Sequence, residues 1–106
     1  MPISENRIMM QLLSSIKKAA LIKPEDGAIH YNLGAAYSNN EQYEQAIEQY
    51  IKAVEIDPAM ADAHNGLAFG FYKLKEYDSA WRHIIIADEL GTEIDENLLA
   101  AIEDKL

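Results

Sequence analysis

The feature that most constrains this chain is a period of 34 residues. His30 and His64, Leu33 and Leu67, Tyr37 and Phe71, Tyr43 and Tyr77, Ala46 and Ala80, and Ala53 and Ala87 all pair at that one step. The same step runs backwards from Pro58 to Pro24, from Ala53 to Ala19 and from Tyr50 to Ile16, so a partial copy precedes two full ones. A chain built this way stacks one supersecondary unit on the next, because a single unit cannot bury its apolar face alone.

Each copy holds two apolar stripes at helical spacing. They are separated by SNNEQ (38–42) in the first copy and by LKE (74–76) in the second, where Asn39 and Asn40 suit turn geometry. Pro24 and Pro58 stand where one helix pair ends and the next begins, since proline disfavours helix in its predecessor and suits the start of a new segment. The pattern predicts helices over 4–22, 27–39, 42–56, 61–73, 76–90 and 95–105, with no strands. The first of these offers Ile8, Leu12, Ile16, Ala19 and Ala20 as a lid over the first pair. At the far end Gly91 reads as a left-handed stop, Asp95 as an N-cap, and Ile94 with Leu99 as a hydrophobic staple.

The pattern resembles the tetratricopeptide repeat, W-x2-L-G-x2-Y, then A-x3-F, then P. The first full copy reads His30-x2-Leu33-Gly34-x2-Tyr37, Ala46-x3-Tyr50, Pro58, and the second His64-x2-Leu67-Ala68-x2-Phe71, Ala80-x3-Ile84, with Thr92 in place of the proline. The resemblance implies an all-α fold, an alpha-alpha superhelix or short solenoid of antiparallel hairpins. Residues 1–106 form one domain on this reading: a leading helix over 4–22, repeats over 27–58 and 61–91, and a solvating helix over 95–105. The leading half repeat and the closing helix lead us to expect a complete, capped unit. Gly34 is explained by close approach of paired helices, and because Ala68 replaces it one period later, Gly34→Ala is expected to be tolerated, with Gly34→Leu destabilising.

The resemblance also implies a function in protein recognition, on a concave face lined by the first helix of each hairpin. The residues at those places are Ala28, Tyr31, Ala35, Ser38 and Asn39, then Asp62, Asn65, Phe69, Tyr72 and Lys73. Tyr31, Phe69 and Tyr72 form an aromatic strip, the usual kind of anchor for binding energy, and Asn65 is placed to hold a peptide backbone. Where tetratricopeptide domains that grip a terminal carboxylate carry Lys and Asn, this chain has Tyr31, Ala35 and Gly66, which disfavours that ligand.

Composition narrows the partner. The net charge of −9, from 18 acidic and 9 basic side chains, repels phosphate backbones and anionic lipid, so the expected partner is a basic or apolar peptide or helix rather than nucleic acid or membrane. There is no cysteine, which removes disulfides and thiolate chemistry and fits a cytoplasmic setting. No nucleophile motif, phosphate loop or H-E-x-x-H appears, so neither enzyme activity nor a cofactor is expected. His30 and His64, equivalent in successive repeats, invite a metal reading, but both stand where the family packs an aromatic ring, so no metal is expected; His83, beside Arg82, is expected to face solvent. A second function is a scaffold or homodimer: HIIIAD places Ile84, Ile85 and Ile86 around more than half a helix, with Trp81 one turn before Ile85, so Trp81, Ile85 and Ile86 are the candidate interface.

Overall fold

In the computed structural model, which describes residues 3–106 and side chains from Arg7 onward, six helices follow one another. They are α1 (Ile3–Ile22), α2 (Gly27–Asn39), α3 (Tyr43–Ile56), α4 (Ala61–Lys73), α5 (Tyr77–Glu89) and α6 (Glu96–Lys105). Among the described residues there is no strand. The expected boundaries hold to within one residue at every end; Met1 and Pro2, the start of the expected domain, lie outside the described residues.

The helices pair as hairpins, α2 with α3 and α4 with α5, because each brings a stripe of leucine, alanine and glycine to a stripe of alanine and one large residue. Leu33, Ala46, Tyr50 and Ala53 are buried in the first hairpin, and Leu67, Ala68, Ala80, Ile84 and Ala87 in the second. Small residues let the backbones approach closely, and the large ones fill the space between. α4 then packs on α3, α1 on α2, and α6 on α5, with α2 and α4 side by side.

Three helices stop in the same way. Glu41 (φ 61°), Lys75 (φ 64°) and Gly91 (φ 88°) adopt the left-handed conformation, and the next N–H reaches back five residues to a helix carbonyl: Gln42 to Tyr37 (2.9 Å), Glu76 to Phe71 (2.8 Å), Thr92 to Ala87 (3.3 Å). This bond satisfies a carbonyl that the helix end would otherwise leave open. Gly91 is the stop expected. In the first hairpin the turn falls on Glu41 rather than on Asn39 or Asn40, because the reverse bond sets which residue turns left, even at a steric cost of roughly 1–2 kcal/mol for a residue with a Cβ.

The helix starts follow sequence more closely. The Asp26 carboxylate accepts from the Ala28 N–H (3.0 Å), and the Asp95 carboxylate from the Asn97 N–H (2.9 Å). Ile94 and Leu99 pack into the same apolar cluster around Ile102, as a staple across the Asp95 cap requires.

Candidate functional site

Tyr50, on α3, organises the face made by α2 and α4. Tyr50 is 4% exposed, and a Cβ placed on Gly34 would lie 2.8 Å from its ring, while one on Gly66 would lie 2.5 Å from it. The ring is a wedge between three helices, and both glycines are the room it needs. One repeat later Ile84 stands where Tyr50 does, a narrower side chain, and Ala68 fits against it. The tolerance for Gly34→Ala expected from Ala68 is therefore corrected: glycine or alanine at this position is set by the residue facing it.

Tyr31 packs on Tyr50 with ring centroids 5.7 Å apart, its hydroxyl toward Asp62 on the neighbouring helix. Burial, then the Asp62 charge, raise the Tyr31 pKa above the ordinary phenol value. Burial, and secondarily Tyr31, push Tyr50 up to about 12, with a hydrogen bond from Ser38 opposing the shift. Tyr31 thus keeps a neutral hydroxyl within reach of the Asp62 charge, with the neutral Tyr50 ring buried beneath it.

Phe69 lies further along α4, 36% exposed, edge-on to Tyr43 at 5.9 Å and with the Lys73 ammonium 5.4 Å above its ring. Asn39, Asp62 and Lys73 are exposed; Tyr31, Ala35 and Ser38 are half-buried. Two of the expected groove residues have partners already. The Asn65 amide donates to the Glu93 carbonyl (3.4 Å), and Tyr72 packs on Tyr77 at 5.9 Å and into the cluster around Ile102. The sequence reading missed Tyr50 as the floor of this face and Tyr43 as the backing of Phe69. Their second-helix positions hid them, although the Tyr50 and Gly66 pairing is visible once the helices are placed.

The histidines serve as struts between helices. His30 Nε2 lies 2.6 Å from the Pro24 carbonyl oxygen and its Nδ1 2.8 Å from Gln49 Oε1, so the ring donates to one or both of these acceptors. His64 repeats the arrangement on the Pro58 carbonyl (3.1 Å), and its Nδ1 accepts from the His83 Nδ1–H (3.1 Å) when both rings are neutral. His83 does not face solvent as expected: it is half-buried, stacked between His64 (5.3 Å) and Phe71 (5.6 Å). Pro24 and Pro58 thus offer carbonyls as well as bends. Among the described residues no three His, Asp or Glu side chains gather as metal ligands would.

Burial, then the charges of His64 and Arg82, lower the His83 pKa to about 4 from the ordinary 6.5. Between those values the unfolded chain binds the proton that the folded chain refuses, so the His83 contribution to stability is complete above pH 6.5 and is lost as pH falls toward 4. With the ring half-exposed and screened, the loss is of order 1 kcal/mol. Urea midpoints at pH 7 and pH 4 measure it, and His83→Gln, which copies Gln49 of the first repeat, should show a smaller drop; an unchanged drop would remove His83 from the account.

Trp81 and Ile85 lie together along a cleft of about 610 Å³ between α5 and α6, Trp81 half-buried against the Ile102 cluster and Ile85 37% exposed. Ile86 is half-buried and five positions beyond Trp81, about 140° around the helix, so the three do not form one patch.

Comparison with known proteins supports the repeat directly. The tetratricopeptide-repeat family model matches residues 27–60. An inactive TPR repeat-containing thioredoxin of Arabidopsis thaliana is 31% identical over 96 residues, covering 91% of this chain but 14% of that protein, so the chain spans only a small part of such a relative. Two solved structures share the fold: the TPR2B domain of yeast Sti1 in complex with an Hsp70 peptide (TM-score 0.85, 21% identity, 96% of this chain and 88% of that one) and the type III secretion chaperone SycD of Yersinia enterocolitica with a peptide of the translocator YopD (TM-score 0.81, 17% identity, 96% and 82%). Residues 27–60 are thus a tetratricopeptide repeat, and the six helices, packed as hairpins at a 34-residue step, have the fold of a short tetratricopeptide-repeat array.

Proposed function

We propose that this chain is a non-enzymatic recognition module that takes a peptide or helix of another protein on its α2/α4 face. The observation that carries the reading is Phe69, a large apolar ring held at the surface by Tyr43 and capped by the exposed Lys73 ammonium. A ring in that setting gains from burial under a partner, while Lys73 and Asp62 accommodate charge at the ends of the strip. The Tyr31 hydroxyl supplies a donor for a peptide carbonyl, and Ala35, Ser38 and Asn39 extend the face toward α1. Two neighbours of the same fold were solved with peptides, which supports the same use here.

The surplus of acidic side chains favours a basic or apolar ligand over nucleic acid or anionic membrane. A cytoplasmic setting belongs to the same reading. Among the described residues no helix is long and apolar enough to cross a membrane. The alternative, association of copies through Trp81 and Ile85 with Ile86 to one side, is favoured by the exposure of Ile85 beside the α5/α6 cleft.

A photo-crosslinking amino acid at position 69, and separately at 85, tests the two readings in the native cell. Position 69 is expected to capture a different protein, and Phe69→Ala should weaken that protein's binding about tenfold or more. A self-crosslink from 85 with nothing from 69 would reverse the assignment.

A further inference from the structure

In both full repeats the inner stripe of the second helix is covered by the first helix of the same hairpin. Ala46, Tyr50 and Ala53 on α3, and Ala80, Ile84 and Ala87 on α5, are all at most 4% exposed. The same stripe on α1 is Leu12, Ile16 and Ala19, and it is only partly covered: Leu12 is 47% exposed, and Ile16 and Ala19 are half-buried. Between this stripe and Ile29, Ala35 and Ala36 of α2 runs a cleft of about 480 Å³.

Adding 34 to those positions gives Ala46, Tyr50 and Ala53 with Ala63, Phe69 and Gly70, the two walls beside which α2 lies in the first repeat. The molecule thus displays, one period on, what fills such a cleft: an α-helix lying along its length. Ile16 has the size of Ile84, which Ala68 faces, so the incoming helix needs alanine or glycine at that contact with larger apolar residues a turn away.

Charge narrows the occupant further. Arg7, Lys17, Lys18 and Lys23 are four of the nine basic residues, and no acidic side chain lies between positions 7 and 23, although the chain as a whole carries −9. Arg7, Lys17 and Lys18 are all exposed, Lys17 with its ammonium 5.6 Å from the centre of the Tyr37 ring. Copies of this chain fit poorly. At the 34-residue step α6 places Ile102 where Gly34 and Ala68 stand, too large a side chain for the contact with Ile16, and Ile102 is already buried against α5. A second α1 would bring like charges together.

We propose that the α1/α2 cleft docks an amphipathic α-helix of a different protein, acidic along its flank, which adds to the array as the first helix of a hairpin. The site is distinct from the Phe69 strip, though Ala35 and Asn39 border both.

The test uses two helix-stapled peptides based on residues 26–40, with their outward positions made glutamate in one and lysine in the other, titrated into the isotope-labelled chain. The glutamate probe is expected to shift the amide signals of Leu12, Ile16 and Ala19 and to bind about tenfold more tightly than the lysine probe at low salt. Leu12→Glu should weaken it about tenfold or more, and Phe69→Ala should leave it within about twofold, which separates this site from the α2/α4 face. Lys18→Glu, at an exposed position, should reverse the preference between probes and serves if Leu12→Glu misfolds. Shifts confined to Phe69 and its neighbours, no shift with either probe, or a homodimer in sedimentation that Leu12→Glu dissolves would each overturn the proposal.

Discussion

Gly66→Ala is expected to lower stability by about 2–3 kcal/mol, a large effect for one methyl group on a helix. That methyl would sit 2.5 Å from the Tyr50 ring, which is nearly fully buried and already close to Gly34, so the ring has little room to give way. At about 4–8 °C per kcal/mol the melting temperature should fall by about 8–24 °C. Gly34→Ala should cost somewhat less, since its contacts at 2.8 and 2.9 Å are with the side of the ring, and Gly34→Leu should cost more than either. Replacing Tyr50 by isoleucine recreates the Ala68 and Ile84 arrangement, so Gly34→Ala should be far less harmful in that background; additive losses in the double-mutant cycle would show that the ring does not set the glycine.

Ile102→Ala should cost about 2–4 kcal/mol and act locally. Ile102 is fully buried and is the centre of the cluster in which α6 meets α5, together with Leu98, Leu99, Ile94 and Trp81. Losing it leaves α6, a helix of 10 residues, too short to persist without its packing. Trp81 emission should shift to the red and protease should cut between Gly91 and Asp95, while most of the helical signal remains. A global loss of helix in step with the tryptophan change would show instead that α6 is needed for the hairpins to fold.

The hairpins were legible because period and helix geometry coincide: residues that recur at 34 and lie on one stripe within each segment have only one way to be buried together. The same holds for the caps at Asp95 and Gly91, whose chemistry is local. The turns at Glu41 and Lys75 were not legible, since neither residue favours the left-handed conformation and a bond across the turn imposes it. Of the groove residues, Tyr31, Asp62, Phe69 and Lys73 could be placed on one face by spacing alone. That Asn65 is tied to Glu93, that Tyr72 belongs to the α6 cluster, and that His83 stacks between His64 and Phe71 depends on which helix lies next.

The sequence by itself thus determined the helices and their pairing, because each follows from a repeat and a stripe within the chain. Only the tertiary structure decided which glycines are obligatory, which aromatic rings stay exposed, and that the stripe on α1 lacks the cover its counterparts have. These are properties of facing surfaces: a Cβ is harmless or costly according to whether a tyrosine or an isoleucine lies opposite, and an apolar stripe is core or cleft according to whether a helix lies on it.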